Sequence, residues 1–449
     1  MTKSKKKVVA KKTPEKKGVI KTSSSNKSVK IQSDKPTIFV QIAAYRDPEL
    51  LPTLHDMLAH AKYPDRLRVG IGWQHSPYDE WDKLDQFKDD SRFRIIDVDY
   101  RDAKGPCWIR HQINGLYKNE TYTLQLDSHH RFKQDWDELL IEMLEFIRTK
   151  ETPRPLLSSY LPSFNPANDP AERLEAPWIM EFDRFAPEGP VHFLPHTIDE
   201  YLELDKPVRS RFMSGHFIFA DGSFVVDVPY DPTYYFHGEE INLSVRAYMA
   251  GYDLFAPHHT LIWHEYHRDG KKKHWDDHPN WVHLDLTSHA HNRELLGIDK
   301  INTDRKLTKH RRTLQDYEMY AGVEFSTRRA HTRTIEKHKA PASLTLEDHL
   351  SGLTHYNKVC IDIHKLDFTE NDYNVWAVAL EDKDGNEIYR QDADENEINA
   401  ILSVPYEQDK FSHIWRVFYS DKQPVSWVVW PHSMSKGWMN RLTGKLGHE

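Results

Sequence analysis

From residue 37 the chain reads TIFVQIAAY, a nearly unbroken apolar run of the kind required by a strand buried on both faces. Asp47 and Pro48 follow, an N-cap type and a residue suited to the first helical position, and Leu50, Leu51, Leu54 and Leu58 then recur at helical spacing. The pattern repeats downstream. LRVGIGW (Leu67 to Trp73) predicts a second strand, DEWDKLDQF a short helix, FRIIDVDY (Phe93 to Tyr100) a third strand, the segment from about Cys107 to Lys118 a helix, and TYTLQLD a fourth strand ending at Asp127. Strands alternating with helices predict an α/β domain whose parallel sheet is covered on both faces. Sheets of that kind take ligands at the carboxyl ends of their strands, which is where Asp127 falls.

The segment Pro153 to Pro207, rich in proline and aromatics, reads as long loops over the sheet. Strand character returns in SGHFIFADGSFVVDV, Ser214 to Val228. A helix is expected from Glu239, with Ile241, Val245 and Tyr248 as its apolar face and Gly251 as the left-handed residue that closes it. Residues 301–353 read as a charged, partly helical connector. From about residue 354 to 449, KVCIDIHKL, NVWAVAL and HIWRVFY predict a small β-sandwich-like accessory domain, with DKDG at Asp382 to Gly385 as a hairpin turn. No internal repeat is visible.

Composition adds constraints. The 449 residues suffice for a sizeable core, and no apolar run approaches the roughly 18 residues that span a bilayer, so the chain reads as free of a transmembrane segment. Two cysteines, Cys107 and Cys360, exclude a disulfide framework, and with no hydrophobic stretch after the first lysines a cytoplasmic protein is expected. The net charge of −8 is uneven: residues 1–35 hold twelve lysines against Glu15 and Asp34, so the tail carries +10 and the body −18. A lysine, serine and threonine tail without apolar periodicity is expected to be disordered and available to an anionic partner.

The stretch LQLDSHHRF, Leu124 to Phe132, ends a strand in an aspartate and two histidines. Asp127 and His129 lie two apart, and a turn beyond the strand can converge them on one cation; carboxylate with imidazole suits Mn²⁺ better than Ca²⁺. LIWHEYHR places His264 after a strand-like triplet, but without the HExxH spacing of zinc peptidases. His130 reads as structural because adjacent residues face apart, and Arg131 as a support.

These motifs occur in one order: YRDP, GPCWIR, DSH, GEEINLSVRAYMAGYDL and IWHEYHR. In that order they resemble nucleotide-sugar glycosyltransferases of GT-A type, and above all the cytoplasmic polypeptide α-N-acetylglucosaminyltransferases that modify hydroxyproline on a ubiquitin-ligase adaptor. A more distant similarity is to the polypeptide N-acetylgalactosaminyltransferases. The resemblance covers about residues 37–297. It implies a GT-A (Rossmann-like) catalytic domain over 36–300, a Mn²⁺ (or Mg²⁺) cofactor held by Asp127, His129 and His264, and a UDP-sugar donor, UDP-N-acetylglucosamine. Transfer would go to a hydroxyl of a protein or glycan acceptor, with retention and without a settled enzyme nucleophile. Tyr45, Arg46 and Asp47 match the loop that holds uridine and ribose, and Arg110 a basic residue near the diphosphate. Glu239 and Glu240 match contacts to donor sugar or acceptor, with helix N-terminal stabilisation as their competing role. Asp221 is a further sugar contact or a turn aspartate, and Trp275 and Trp281 form an acceptor platform or pack in a core. The alternative is a nucleotide-sugar or glycan binding protein on the same fold, without turnover; a third reading is a scaffold whose tail and β part bind partners.

Overall fold

The computed structural model describes residues 35–186, 188–268, 270–299, 311–341 and 345–447; the lysine-rich segment, apart from Lys35, and residues 301–310 and 342–344 of the connector lie outside them. The elements begin with β1 (Ile38–Tyr45), α1 (Leu50–His60), β2 (Leu67–His75), α2 (Asp85–Lys88), β3 (Phe93–Asp99), α3 (Pro106–Asn114), β4 (Tyr122–Leu126), β5 (His130–Phe132) and α4 (Trp136–Lys150). Then come β6 (Pro155–Leu157), β7 (Trp178–Phe185), β8 (Val191–Thr197), β9 (Val208–Arg209), β10 (Phe217–Asp221), α5 (Phe224–Asp227), α6 (Glu239–Met249), β11 (Asp253–Ala256), β12 (Ile262–His264), α7 (His274–Asp277) and α8 (Trp281–Leu295).

The main sheet has the order β3-β2-β1-β4-β10-β6-β11-β9. Its first four strands are parallel, while β10 runs antiparallel between β4 and β6. The alternation of β1 sorts its side chains to two cores. Ile38, Val40 and Ile42 join Leu54 and Met57 of α1 and Trp136, Leu140 and Leu144 of α4, whereas Phe39 packs with Ile109 and Ile113 of α3. The sheet is thus covered on both faces, the α/β arrangement expected of parallel strands. Gly72 in β2 permits the close approach of α3: a Cβ there would meet Ile109 Cγ1 at 2.3 Å.

Several local expectations are corrected. Helix α1 starts at Leu50 with Glu49 as its N-cap, because the Asp47 side chain is drawn into the protein. The Pro153 to Pro207 segment is not only loop, since β7 and β8 pair as an antiparallel hairpin with Met180, Phe182 and Phe193 buried. The strand expected through Val228 stops at Asp221; Gly222 turns the chain into α5. The α3 helix ends at Asn114, four residues early, and Gly251 closes α6 in the left-handed region as expected, with φ 94°.

Beyond residue 310, α9 (Leu314–Ala321) lays Tyr317 and Tyr320 against Ile241, Val245 and Tyr248 of α6. A small antiparallel sheet of β13 (Val323–Glu324), β14 (Arg329–His331) and β15 (Leu353–Thr354) brackets α10 (Thr332–Ile335) and α11 (Leu346–Gly352). The last residues form the ribbon β16 (Tyr356–His364) with β20 (Phe411–Tyr419), and a second sheet of β17 (Tyr373–Glu381), β18 (Glu387–Arg390), β19 (Ala393–Asp394), β21 (Ser426–Ser433), β22 (Gly437–Trp438) and β23 (Leu442–Lys445). Ile361, Trp376, Val378, Ile414 and Val429 share one core with Ile398 of α12 (Glu395–Leu402). The turn at Asp382 joins β17 to β18, with the Gly385 N–H donating to the Asp382 carbonyl.

Candidate active site

Asp127 is the first residue beyond β4, at the carboxyl edge of the parallel strands. The chain turns through Ser128 and His129 into β5, which pairs antiparallel with β12 so that His264 lies opposite His130. Two segments far apart in sequence thereby converge. Asp127, His129 and His264 each offer a ligand atom within 4.8 Å of the others; Asp127 Oδ2 is 3.4 Å from His264 Nε2 and 3.8 Å from His129 Nε2. Buried His264 has no hydrogen-bond partner at Nδ1, and its Nε2 faces only the Asp127 carboxylate, 3.4 Å away. A carboxylate and two imidazoles fit a divalent transition metal such as Mn²⁺.

The surrounding side chains aim these groups. His130 Nδ1 donates to the Trp263 carbonyl (3.0 Å) and Nε2 accepts the Asp127 N–H (3.2 Å), so both its nitrogens are spent on holding the turn. Asp47 Oδ2 accepts from His129 Nδ1 (2.7 Å), Ser128 Oγ (2.5 Å) and Arg268 Nη1 (2.8 Å), and its other oxygen accepts from the Glu49 N–H. With Nδ1 donating to Asp47, His129 keeps its lone pair on Nε2, which lies 3.3 Å from Arg268 Nη1 and 3.8 Å from Asp127 Oδ2. Arg131 serves the same turn from outside, pairing with Glu49 at 2.6 Å. Arg110, buried on α3, donates from Nη2 to Asp127 Oδ1 (2.5 Å), and its Nε lies 3.6 Å from Glu239 Oε1. Burial alone would raise the Asp127 carboxyl, but His264, Arg110 and His129 together hold it well below the usual range. Burial also lowers His264 to about 4, so the imidazole is neutral.

A cavity of about 520 Å³ opens above these groups, lined among others by Tyr45, Arg110, Asp127, His129, Glu239, Glu240, His264 and Trp275. Glu239 accepts from the Tyr230 hydroxyl (2.6 Å) and Glu240 from the Tyr160 hydroxyl (2.6 Å) and the Gly215 N–H (3.1 Å). Burial raises both carboxyls, Glu240 to about 7.

The other sequence candidates separate. Tyr45 lines the cavity and donates to Asp277 (2.8 Å); Arg46 is committed to Asp79 and Asp277 at 2.7 and 2.8 Å. Asp47 is 2% exposed and faces His129 rather than the cavity. Trp275 borders the cavity at 38% exposure, and Trp281 stands behind it with ring centroids 6.3 Å apart. Asp221 is not brought to the site. It pairs with Tyr122, at the opposite end of β4 from Asp127, and is bound by Arg148 at 2.6 Å. Several cavity residues went unnoticed in the sequence, three of them around His264. His216 stacks on His264 at 4.2 Å, and Tyr160 and Tyr266 flank it. His216 directly precedes a strand, a usable signal, whereas Tyr160 lies in a proline-rich stretch that offers none.

A family model described as Glycosyltransferase (GlcNAc) matches residues 37–89 and 81–346, well over half of the chain. No curated protein matches. Among solved structures, GalNAc-T7 with UDP, GalNAc and Mn²⁺ is 15% identical with a TM-score of 0.42, covering 58% of this chain and 48% of that one. The chain therefore spans about half the length of that protein. S. aureus TarS 1-349 in complex with UDP-GlcNAc is 11% identical with a TM-score of 0.34, covering 57% and 70%; S. aureus TarS is 9% identical with a TM-score of 0.35, covering 92% and 78%.

Proposed function

Because the chain belongs to the GlcNAc glycosyltransferase family, we propose that it transfers N-acetylglucosamine from UDP to a hydroxyl group of a protein or glycan, with Asp127, His129 and His264 as ligands of a divalent ion. The observation that carries this reading is the convergence of Asp127, His129 and His264, whose ligand atoms lie within 4.8 Å of one another, with His264 a buried neutral imidazole beside an ionised carboxylate. A divalent ion held by these residues would supply positive charge to the donor diphosphate and to the departing UDP.

The chain's own groups do the rest. Arg110, anchored to Asp127 through one nitrogen, presents fixed positive charge to the diphosphate. Lys272 and Lys273 add charge at the cavity wall. Tyr45 borders the nucleoside end, and Arg46, tied to Asp79 and Asp277, shapes that wall rather than reaching across it. Glu239 and Glu240 face the donor sugar and the acceptor. Glu240, near 7, is the group suited to hold or release a proton at neutral pH, through the carboxyl that Tyr160 addresses. Transfer proceeds with retention by front-face displacement, which asks the site for positioning and charge stabilisation rather than for a nucleophile. Trp275 offers an aromatic face at the cavity mouth for the acceptor.

The ordered motifs support an acceptor of the hydroxyproline class. Two free cysteines support a reducing compartment, and no helix among the described residues is long and apolar enough to cross a membrane. Release of UDP from a panel of UDP-sugars, with and without Mn²⁺, tests the reading. Mn²⁺-dependent release is expected with UDP-N-acetylglucosamine, and its loss in His264→Ala with a Tm within about 4 °C of wild type. Metal-independent release, or near-normal release in both His264→Ala and Asp127→Ala, would overturn it.

A further inference from the structure

Helix α8 is fifteen residues long, and its buried side chains, Asp285, Ser288, His289 and Asn292, are all polar. A helix that turns its polar face inward needs partners there, because each buried polar group without one costs free energy. The partners come from the loop before α6. The Tyr235 N–H donates to Ser288 Oγ (2.6 Å), the Tyr234 hydroxyl to Asn292 Oδ1 (3.3 Å), and the His237 N–H to Asp285 Oδ1 (3.1 Å). Gly238, with φ 84°, lets the loop come so near that a Cβ would meet the Asn292 side chain at 1.6 Å.

One group of donors remains over. Asp285 Oδ2 lies 2.6 Å from His237 Nδ1 and 3.3 Å from His289 Nε2, and the two imidazole rings face each other at 15° with centroids 6.1 Å apart. His289 Nδ1 is buried and without a partner. Asp285 and His289 stand one turn apart on one helix face, so their spacing is rigid, while His237 comes from a loop and is 43% exposed. From these positions we infer a second metal site, distinct from the Asp127 triad, in which His237, Asp285 and His289 bind Zn²⁺ or a similar nitrogen-preferring divalent ion.

Two imidazoles and a carboxylate are a common zinc set, with the fourth position left to water. In a tetrahedral shell with bonds of about 2.0–2.1 Å, ligand atoms stand about 3.3 Å apart. The His289 to Asp285 separation already has that value, and the exposed His237 ring needs only to move outward. Asp285 Oδ1 stays engaged by the His237 N–H, while Oδ2, which is hydrogen-bonded to His237 Nδ1 at 2.6 Å, exchanges that bond for the ion as the imidazole gives up its proton. His237 and Gly238 also line the cavity of the candidate active site. An ion here clamps that wall to α8 without touching the Asp127 triad, so its role is structural and positioning.

Full-length protein stripped by a chelator and titrated with Zn²⁺ alone tests this, with bound metal counted by elemental analysis and Co²⁺ as a spectroscopic substitute. Cys360, Asp362 and His413 form a further group able to hold Zn²⁺, so stoichiometry is read as a difference from wild type. His289→Ala and His237→Ala each lose one equivalent together with the tetrahedral Co²⁺ absorption, while the equivalent lost in His264→Ala is a separate one. Where His289→Ala fails to fold by circular dichroism, the exposed His237→Ala decides. Unchanged stoichiometry and an unchanged Co²⁺ spectrum in His237→Ala would overturn the second site, whatever the Asp127 triad does. Loss of one equivalent there upholds it even if His264→Ala loses none.

Discussion

Replacing Asp47 by asparagine separates two roles for a residue that the sequence assigns to the donor nucleoside and the structure turns toward His129. In wild type, Oδ2 accepts three hydrogen bonds, from His129, Ser128 and Arg268, while Oδ1 accepts the Glu49 N–H. In Asp47→Asn the amide oxygen keeps the Glu49 bond, so the NH2 group faces three donors. His129 relieves the clash by moving its proton to Nε2, and that proton then occupies the lone pair needed for the ion. Loss of a carboxylate that orients a metal-bound histidine typically costs 10–100-fold in metal affinity, which is about 1.4–2.7 kcal/mol. Stability falls by an amount on the order of 2 kcal/mol, because Arg268 loses its anion. UDP release measured against Mn²⁺ concentration should shift by that factor, with the KM for UDP-sugar at saturating Mn²⁺ unchanged. An unchanged Mn²⁺ dependence with a raised donor KM would refute the reasoning and return Asp47 to the nucleoside.

Glu240→Gln should remove an inflection near pH 7 from the pH profile of kcat/KM, since burial raises that carboxyl to about 7. Its folded value lies above its unfolded one near 4.5, so wild-type stability declines as pH rises from about 4.5 to 7 and the variant's decline is shallower; superimposable unfolding profiles would count against this. Trp275→Ala should lower transfer to an acceptor about tenfold or more while leaving UDP release from donor alone within about twofold, as loss of one stacking face implies. Equal losses in both assays would assign Trp275 to packing.

The position of Asp127 at the carboxyl edge was legible because the run of apolar residues before it fixes where the strand stops; its role was not, since polar residues end many strands. His264 was legible only through motif order, since three apolar residues before a histidine describe many strands. Asp221 went astray for a directional reason. In the sequence it ends a strand as Asp127 does, but β10 runs antiparallel to β4, so its carboxyl end lies at the far edge of the sheet. Strand direction is a property of the assembled sheet and leaves no mark on FIFAD. The β7–β8 hairpin was hidden by prolines and by alternation too weak to separate from loop, and Asp47 by its N-cap-like position, which said nothing of the histidine it would meet across the fold.

The pairing of β5 with β12 also sets a timetable. Asp127 and His129 leave the ribosome well before His264, and the hydrogen bonds that join them, from the His130 ring to the Trp263 carbonyl and across the two short strands, exist only after that later segment has docked. A nascent chain ending before residue 262 lacks the β5–β12 pairing and the last member of the proposed ligand set. On the proposed ligand set, competence arrives as a late, long-range event of synthesis.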